Sequence, residues 1–248
     1  MALKTEYILE LEGVSKLYKN GRGVTDISFS LAPGEVLGLL GPNGSGKTTT
    51  MKAIAGLVHT GAGRIHICGT DAYANHEEAM KNVGALIEAP ALYEHLSAYE
   101  NLRLAARFYK NIDNRRIDEV LRMVDMDLYK NDKVATFSLG MRQRIGLALA
   151  LISEPKLLIL DEPANGLDIE GMLYVRDVIK AASDKGAAVL ISSHLAAEIQ
   201  QCATKAAVIH SGKLLALKSM NEILSSFESL EGFFLSEVEK SRKGGAAS

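Results

Sequence analysis

Cysteine is scarce in this sequence, and tryptophan is absent. Only Cys68 and Cys202 occur among 248 residues, and they form no metal-binding spacing. A disulfide framework or a four-ligand zinc site would need more thiols at closer spacing. We therefore expect a protein of a reduced, cytoplasmic compartment, in which both cysteines are buried as small hydrophobic side chains.

Long apolar runs and an excess of charge are also missing. The longest apolar runs, such as Leu147–Ile152 and Leu157–Leu160, are far shorter than the roughly 20 residues of a membrane span. Residues 1–12 mix acidic and apolar side chains and lack the basic start of a signal peptide. The formal net charge is -2, which gives no electrostatic case for nucleic acid binding. We expect a cytoplasmic chain that reaches a membrane only through a partner protein.

The arrangement of the apolar residues predicts an α/β fold. Alternation over Tyr7–Leu11 and Asp26–Leu31 is typical of half-buried strands, and the run Val36–Leu40 predicts a buried central strand. Between residues 90 and 152 the apolar positions instead follow helical spacing. We predict one domain over residues 1–240, made of a core (about 1–89 and 153–218), a helical insert (about 90–152) and a C-terminal helix (about 219–240), followed by a disordered tail (241–248).

The segment Gly41–Thr48, Gly-Pro-Asn-Gly-Ser-Gly-Lys-Thr, matches the phosphate-binding loop pattern in full. Its glycines let backbone N–H groups converge on phosphate oxygens, and the positive end of the next helix points to the same place. Lys47 would reach the β- and γ-phosphates of ATP, and the Thr48 hydroxyl would bind Mg²⁺. A chance match is expected in on the order of one chain in a hundred of this length. The predicted ATP-binding residues here are Gly41, Pro42, Asn43, Gly44, Ser45, Gly46, Lys47, Thr48 and Thr49.

Two carboxylates, Asp161 and Glu162, directly follow the apolar run Leu157–Leu160. Open α/β sheets bind their ligands at the carboxyl ends of the strands. Asp161 would hold Mg²⁺, and Glu162 would polarise the attacking water. The alternative is an ordinary acidic loop after a strand.

A phosphate-binding loop alone leaves kinases, GTPases and motors open, and further motifs narrow the choice. The segment Phe137–Arg144 resembles the signature motif of ABC transporter ATP-binding subunits. Asn165–Asp168 resembles their D-loop, and Ile191–His194 resembles their switch strand with its histidine. Tyr18 resembles the aromatic residue that stacks on adenine. The resemblance covers the chain, in the right order, to about Lys218.

The order of the motifs supports this resemblance more than any one residue does. Taken singly, Ser138 could be a helix cap, His194 a core or surface residue, and Tyr18 a tyrosine of a surface strand. Within the resemblance, Ser138 and Gly140 contact the ATP that the opposite subunit holds. His194 then belongs with Glu162 among the catalytic residues.

The resemblance implies a RecA-like P-loop NTPase core with a small antiparallel β-subdomain and a helical insert subdomain. Two head-to-tail subunits would enclose two ATP molecules, so that ATP closes the dimer and hydrolysis releases it. The chain has no internal repeat and thus one such cassette, so it needs a second copy, forming a homodimer, or a homologue. A separate membrane permease would hold it at the inner face of the cell membrane, and we expect no nucleic acid partner.

Three positions depart from the usual motifs. Leu139 and Met141 replace a glycine and the glutamine of the signature, and Glu88 stands where glutamine is usual in the Q-loop. A glutamate oxygen there would suit Mg²⁺. The predicted metal ligands are Thr48, Glu88 and Asp161.

The same departures indicate a branch of the family. The strings Ile87–Tyr93, Tyr99–Leu102 and Ser138–Met141 resemble those of bacitracin-type and lantibiotic-immunity transporters, which implies export of, or protection against, a peptide antibiotic. A soluble ABC-type ATPase acting on nucleic acid or ribosomes is the rival interpretation. It is weakened because the chain lacks tandem cassettes and basic extensions. A regulatory subunit with weak ATPase activity is a third.

Overall fold

A computed structural model of the protein describes residues 7–245, the Ile169 side chain excepted. Within this part the chain forms ten strands and nine α-helices. The strands are β1 (Leu9–Leu17), β2 (Gly23–Leu31), β3 (Val36–Leu40), β4 (Ala62–Ile67), β5 (Thr70–Asp71), β6 (Val83–Leu86), β7 (Leu157–Asp161), β8 (Ala188–Ser193), β9 (Lys205–His210) and β10 (Lys213–Ser219). The helices are α1 (Lys47–Ile54), α2 (His76–Met80), α3 (Ala98–Ala106), α4 (Asn114–Met123), α5 (Leu139–Leu151), α6 (Ile169–Asp184), α7 (Ala196–Cys202), α8 (Met220–Ser226) and α9 (Leu230–Gly245).

A six-stranded sheet, in the order β10-β9-β3-β8-β7-β6, forms the centre of the molecule. All neighbouring pairs are parallel except β9 and β10. Every residue of β3, β7 and β8 is buried, as expected for parallel strands covered on both faces. The carboxyl ends of these three neighbouring strands therefore meet at one edge, where β7 ends at Asp161 and the phosphate-binding loop and His194 follow β3 and β8. The predicted α/β fold is confirmed.

A second, antiparallel sheet has the order β2-β1-β4-β5. Its inward-facing side chains, among them Leu9, Ile27 and Ile65, share one hydrophobic core with Met51 of α1 and Leu37 of β3. Strand β1 runs on to Leu17, past the predicted end at Leu11, with irregular register after that residue. The phosphate-binding loop thus lies between the two sheets.

Helices α3, α4 and α5 lie between β6 and β7 in the chain, as predicted for the helical insert. Their apolar faces form a second core that also contains residues of α6 and β7. Arg116 of α4 ties the insert together, because its Nη2 and Nε atoms donate to the carbonyls of Leu151 (2.6 Å) and Ile152 (3.2 Å) at the end of α5. These carbonyls have no partner within their own helix.

The C-terminal segment differs from the prediction. Two helices, α8 and α9, replace the single predicted one, because Phe227 is extended and its ring packs 5.4 Å from that of Phe233. The predicted disordered tail is wrong for residues 241–245, which continue α9. Buried Val238 anchors that end of the helix, and Arg242 and Lys243 suit its negative terminus. Residues 246–248 lie outside the described part of the chain.

Both cysteines are unpaired and partly exposed, where full burial was expected. Burial nevertheless raises the pKa of the Cys202 thiol to about 11 and also raises the pKa of Cys68. Both thiols are therefore weak nucleophiles near neutral pH.

Candidate nucleotide-binding site

The phosphate-binding loop connects the end of β3 to the start of α1. Gly44 and Gly46 have φ angles of 78° and 116°, in the left-handed region that favours glycine. A Cβ atom on Gly46 would come within 2.4 Å of Val24 Cγ1 in the neighbouring sheet. A side chain is thus excluded where the first turn of α1 presents its free N–H groups.

Two buried polar groups in this loop fit a phosphate. The Ser45 hydroxyl is buried and has no hydrogen-bond partner among the described residues. Lys47 is 5% exposed, and its Nζ donates to the Gly41 carbonyl at 2.7 Å. A cavity of about 300 Å³ opens in front of them. It is lined by Tyr18, Asn20, Arg22, Gly23, Asn43, Gly44, Ser45, Gly46, Lys47, Thr48, Thr49 and Glu162.

Asp161 is held in place by two hydroxyl groups. Thr48 Oγ1 donates to Asp161 Oδ2 at 2.8 Å, and Ser192 Oγ donates to Asp161 Oδ1 at 2.5 Å. The Glu162 N–H donates to the same Ser192 oxygen at 2.9 Å. The structure thus brings two predicted metal ligands, Thr48 and Asp161, into direct contact.

Ser192 contacts both acidic residues of the site, although the motifs did not single it out. It is fully buried in β8, opposite Asp161 in the sheet register. The sequence does contain a pattern that could have identified this residue. Two hydroxyl residues, Ser192 and Ser193, end an otherwise apolar strand just before His194.

Glu162 lies between a lysine and a histidine. Its Oε1 atom is 3.4 Å from Lys47 Nζ, and its Oε2 atom is 2.7 Å from His194 Nδ1. The Glu162 backbone has φ +49°, a left-handed conformation that is uncommon for a residue with a side chain. Such conformations persist where the surroundings impose them, often at functional sites. The predicted catalytic pair, Glu162 and His194, is therefore in contact.

The Glu88 carboxylate makes no contact with Asp161, Glu162 or His194. Its Oε1 atom is paired with Lys52 Nζ at 2.7 Å, and its side chain is 63% exposed. Lys52 lies one turn after Thr48 in α1, so Glu88 reaches the helix that follows the phosphate-binding loop. Its φ of +62° is also left-handed. The role of Glu88 as a metal ligand stays a prediction.

The signature segment forms the N-terminus of α5. Ser138 caps the helix by accepting a hydrogen bond from the Met141 N–H at 3.3 Å. This is the helix-cap role that the sequence suggested for Ser138 taken singly. The Leu139 side chain is 62% exposed and lies over Gly166, where a Cβ atom would come within 2.9 Å of Leu139 Cδ2. Ser138, Leu139 and Gly140 line a cavity of about 480 Å³.

This cavity is separate from the one at the phosphate-binding loop. Among the described residues, none lines both. The signature therefore does not meet the phosphate-binding loop of the same chain. Tyr18, in contrast, lines the cavity at the phosphate-binding loop and is 39% exposed, with Lys16 Nζ 5.2 Å from the centre of its ring.

A larger cavity of about 640 Å³ lies between α6, α7 and α9, and Gly41, Pro42 and His194 form part of its lining. Its walls are mainly apolar, with Leu173, Val175 and Phe234 among them. It lacks the converging N–H groups and the lysine that a triphosphate requires. The phosphate-binding loop therefore fits a nucleotide better than this cavity does.

Known proteins resemble this chain along most of its length. The sequence profile of the family described as ABC transporter matches residues 24–165, more than half of the chain. The bacitracin transport ATP-binding protein BcrA of Bacillus licheniformis is 38% identical over 209 residues, which are 84% of this chain and 68% of that protein. The lantibiotic transport ATP-binding protein SrtF of Streptococcus pyogenes is 34% identical over 231 residues, which are 93% of this chain and 97% of that protein.

Solved structures have the same fold. An ATP-binding subunit of an ABC transporter superposes with a TM-score of 0.86 at 31% identity, covering 93% of this chain and 99% of that one. The ATP-binding cassette MJ0796, a dimer in a post-hydrolysis state bound to ADP and Pi, superposes with a TM-score of 0.78 over 86% of this chain and 98% of that one. At 23% identity, the second likeness concerns the fold alone. The chain belongs to the ABC transporter family, in which it is a subunit that binds and hydrolyses ATP to power transport.

Proposed function

We propose that this subunit hydrolyses Mg²⁺-bound ATP as one half of a dimer and drives a separate permease that exports, or protects against, a peptide antibiotic. The observation that carries the proposal is the meeting of the phosphate-binding loop, Asp161, Glu162 and His194 at the carboxyl ends of three neighbouring strands. Each group has a role in phosphoryl transfer, and together they come from three separate parts of the chain.

The roles follow from the contacts. Lys47 and the N–H groups of the loop hold the phosphates, and Glu162 accepts a proton from the attacking water while His194 orients its carboxylate. Thr48 and Asp161 would hold Mg²⁺, which when bound neutralises charge on the phosphate oxygens. Across the described residues, no group of three or more His, Cys, Asp or Glu side chains is placed to hold a metal ion. Mg²⁺ commonly takes only one or two protein ligands, with phosphates and water as the rest.

The separation of the two cavities supports the dimer. Ser138 and Gly140 lie at a helix N-terminus, which can bind a phosphate, yet their cavity shares no described residue with the phosphate-binding loop. A second copy placed head to tail would bring the signature of one chain to the ATP of the other. The subunit would thus act as a homodimer.

The membrane partner and the cargo are proposed from similarity. Within residues 7–245, no helix is long and apolar enough to cross a bilayer. By analogy with the family, a separate permease would hold the subunit at the inner face of the membrane. BcrA and SrtF are named for bacitracin and lantibiotic transport, and this chain resembles both. Their names and the near-neutral charge disfavour the rival role on nucleic acid or ribosomes.

The test is a combined recovery and resistance assay. A tagged full-length chain is expressed from its native gene neighbourhood and recovered from the membranes of those cells. Growth inhibition by bacitracin and by a lantibiotic is then compared between wild type and Lys47→Ala. We expect a polytopic membrane protein to co-purify with the tagged chain. We also expect wild type, but not Lys47→Ala, to raise the inhibitory concentration of the antibiotic. Recovery on ribosomes, with equal susceptibility of both strains, would support the rival role instead.

A further inference from the structure

Gln143 is a buried polar residue in the second turn of α5, the helix that begins at the signature. Its side chain is 9% exposed, and its Nε2 atom donates to the carbonyl of Pro163 at 3.3 Å. Burying a side-chain amide costs little free energy of folding only when the amide is hydrogen-bonded. Pro163 is the residue directly after Glu162, so this bond joins α5 to the backbone beside the proposed general base.

The backbone of Glu162 is held from both sides. On its N-terminal side, the Glu162 N–H donates to Ser192 in β8, and on its C-terminal side Gln143 binds the Pro163 carbonyl. Between these bonds Glu162 has its left-handed φ of +49°. Since Pro163 has a ring-restricted φ, a held carbonyl at this residue limits the remaining rotation of the segment.

We infer that Gln143 is a positioning residue, which holds Glu162 in its active orientation and couples it to the N-terminus of α5. The inference rests on the proposed function, in which Glu162 serves this chain's own ATP and Ser138 contacts the ATP of the partner. When the partner's ATP binds at the start of α5, the resulting shift of that helix end would be transmitted to Glu162 through a single turn of helix and one hydrogen bond. This contact would make hydrolysis cooperative in ATP.

Tyr174 provides a matched control in the same place. Gln143, Pro163 and Tyr174 line one small space of about 10 Å³. The Tyr174 hydroxyl is buried there without a hydrogen-bond partner among the described residues, and burial raises its pKa. Tyr174→Phe therefore removes a polar atom from this interface without breaking any bond to the catalytic segment.

The experiment compares steady-state hydrolysis of Mg²⁺-ATP by full-length wild type, Gln143→Met and Tyr174→Phe. Methionine keeps the length of glutamine and removes the donor. We expect Gln143→Met to lower kcat about tenfold, with KM changed less than about twofold and the Hill coefficient for ATP reduced towards one. Tyr174→Phe should retain wild-type values. Gln143→Leu, which also replaces the amide with an apolar side chain that has no donor, should behave as Gln143→Met does, and it serves if the methionine variant folds poorly.

A double-mutant cycle separates positioning from general packing. If Gln143 acts through Glu162, Gln143→Met should cause no further loss of hydrolysis in a Glu162→Gln background. The inference is overturned if the two losses multiply, or if both Gln143 variants keep wild-type kcat and Hill coefficient. Wild-type hydrolysis by Glu162→Gln alone would instead refute the general base of the proposed function, and the inference with it.

Discussion

Ser192 connects the two acidic residues of the site through one buried hydroxyl. Ser192→Ala would leave Asp161 Oδ1 and the Glu162 N–H without this partner. We expect kcat to fall about tenfold while ATP affinity is kept, because the phosphate-binding loop is untouched. Ser193→Ala is the control, since the Ser193 hydroxyl bonds Glu198 instead. Equal losses in both variants, measured by ATP turnover and equilibrium binding, would mean that Ser192 only packs the strand.

Glu88 is the residue whose predicted role and observed contact differ most. Its carboxylate is paired with Lys52, yet it lies beside the helix that carries Thr48. Glutamine at this position would remove a charge near the phosphates and keep an oxygen, so Glu88→Gln should change basal ATPase activity by less than about tenfold. Glu88→Ala should disturb both hydrolysis and transport.

A Mg²⁺ titration of Glu88→Gln, Glu88→Ala and Lys52→Met checks this role. If Glu88 reaches the metal when ATP is bound, Lys52→Met should leave the Mg²⁺ dependence near wild type, whereas Glu88→Ala should require more Mg²⁺. Wild-type hydrolysis and transport by Glu88→Ala at every Mg²⁺ level would make Glu88 a bystander.

At the scale of elements, the helical insert depends on one arginine. Arg116 of α4 is 12% exposed and binds the last carbonyls of α5, where it also pairs with Glu119 and Glu154. Hydrogen bonds from a charged donor to buried carbonyls are worth about 1.5–3 kcal/mol. Arg116→Met should therefore lower the free energy of unfolding by about 2 kcal/mol in urea titrations. The exposed neighbour Arg115 supplies the control, since Arg115→Met should leave stability nearly unchanged.

The elements that could be predicted are those with a strong local pattern. The buried strand β3 was predicted with its observed bounds, and the apolar run Leu157–Leu160 falls within β7, because continuous apolar runs identify such strands. Strands β6 and β10 were missed. Val83–Leu86 is short and contains a glycine, and β10 is only partly buried, so its place depends on pairing with β9.

At the scale of the whole molecule, the separate cavities predict that ATP controls assembly. Glu162→Gln should bind ATP, hydrolyse it roughly 10²-fold or more slowly, and accumulate as a dimer in light scattering at saturating Mg²⁺-ATP. Lys47→Ala should lose tight ATP binding and remain monomeric. A Glu162→Gln chain that stays monomeric with ATP bound, or a monomer with full activity at every concentration, would contradict the shared site.

Much of the site was open to prediction because its parts are short, contiguous patterns. The loop Gly41–Thr48 has the pattern of backbone N–H groups that binds phosphate, and a strand that ends at Asp161, with Glu162 next, places both at the ligand-binding edge of a parallel sheet. The order of these motifs along the chain was enough to predict the family and the reaction. The sequence by itself therefore determined the chemistry of this protein.

Only the tertiary structure decided which side chains hold those groups in place. Ser192 and Asp161 are 31 residues apart, Gln143 and Pro163 are 20 apart, and Glu88 and Lys52 are 36 apart. No local pattern specifies such pairs, because each depends on how strands and helices pack. Burial makes a hydroxyl or an amide act as a positioning group, since a buried polar atom must find its partner inside the protein.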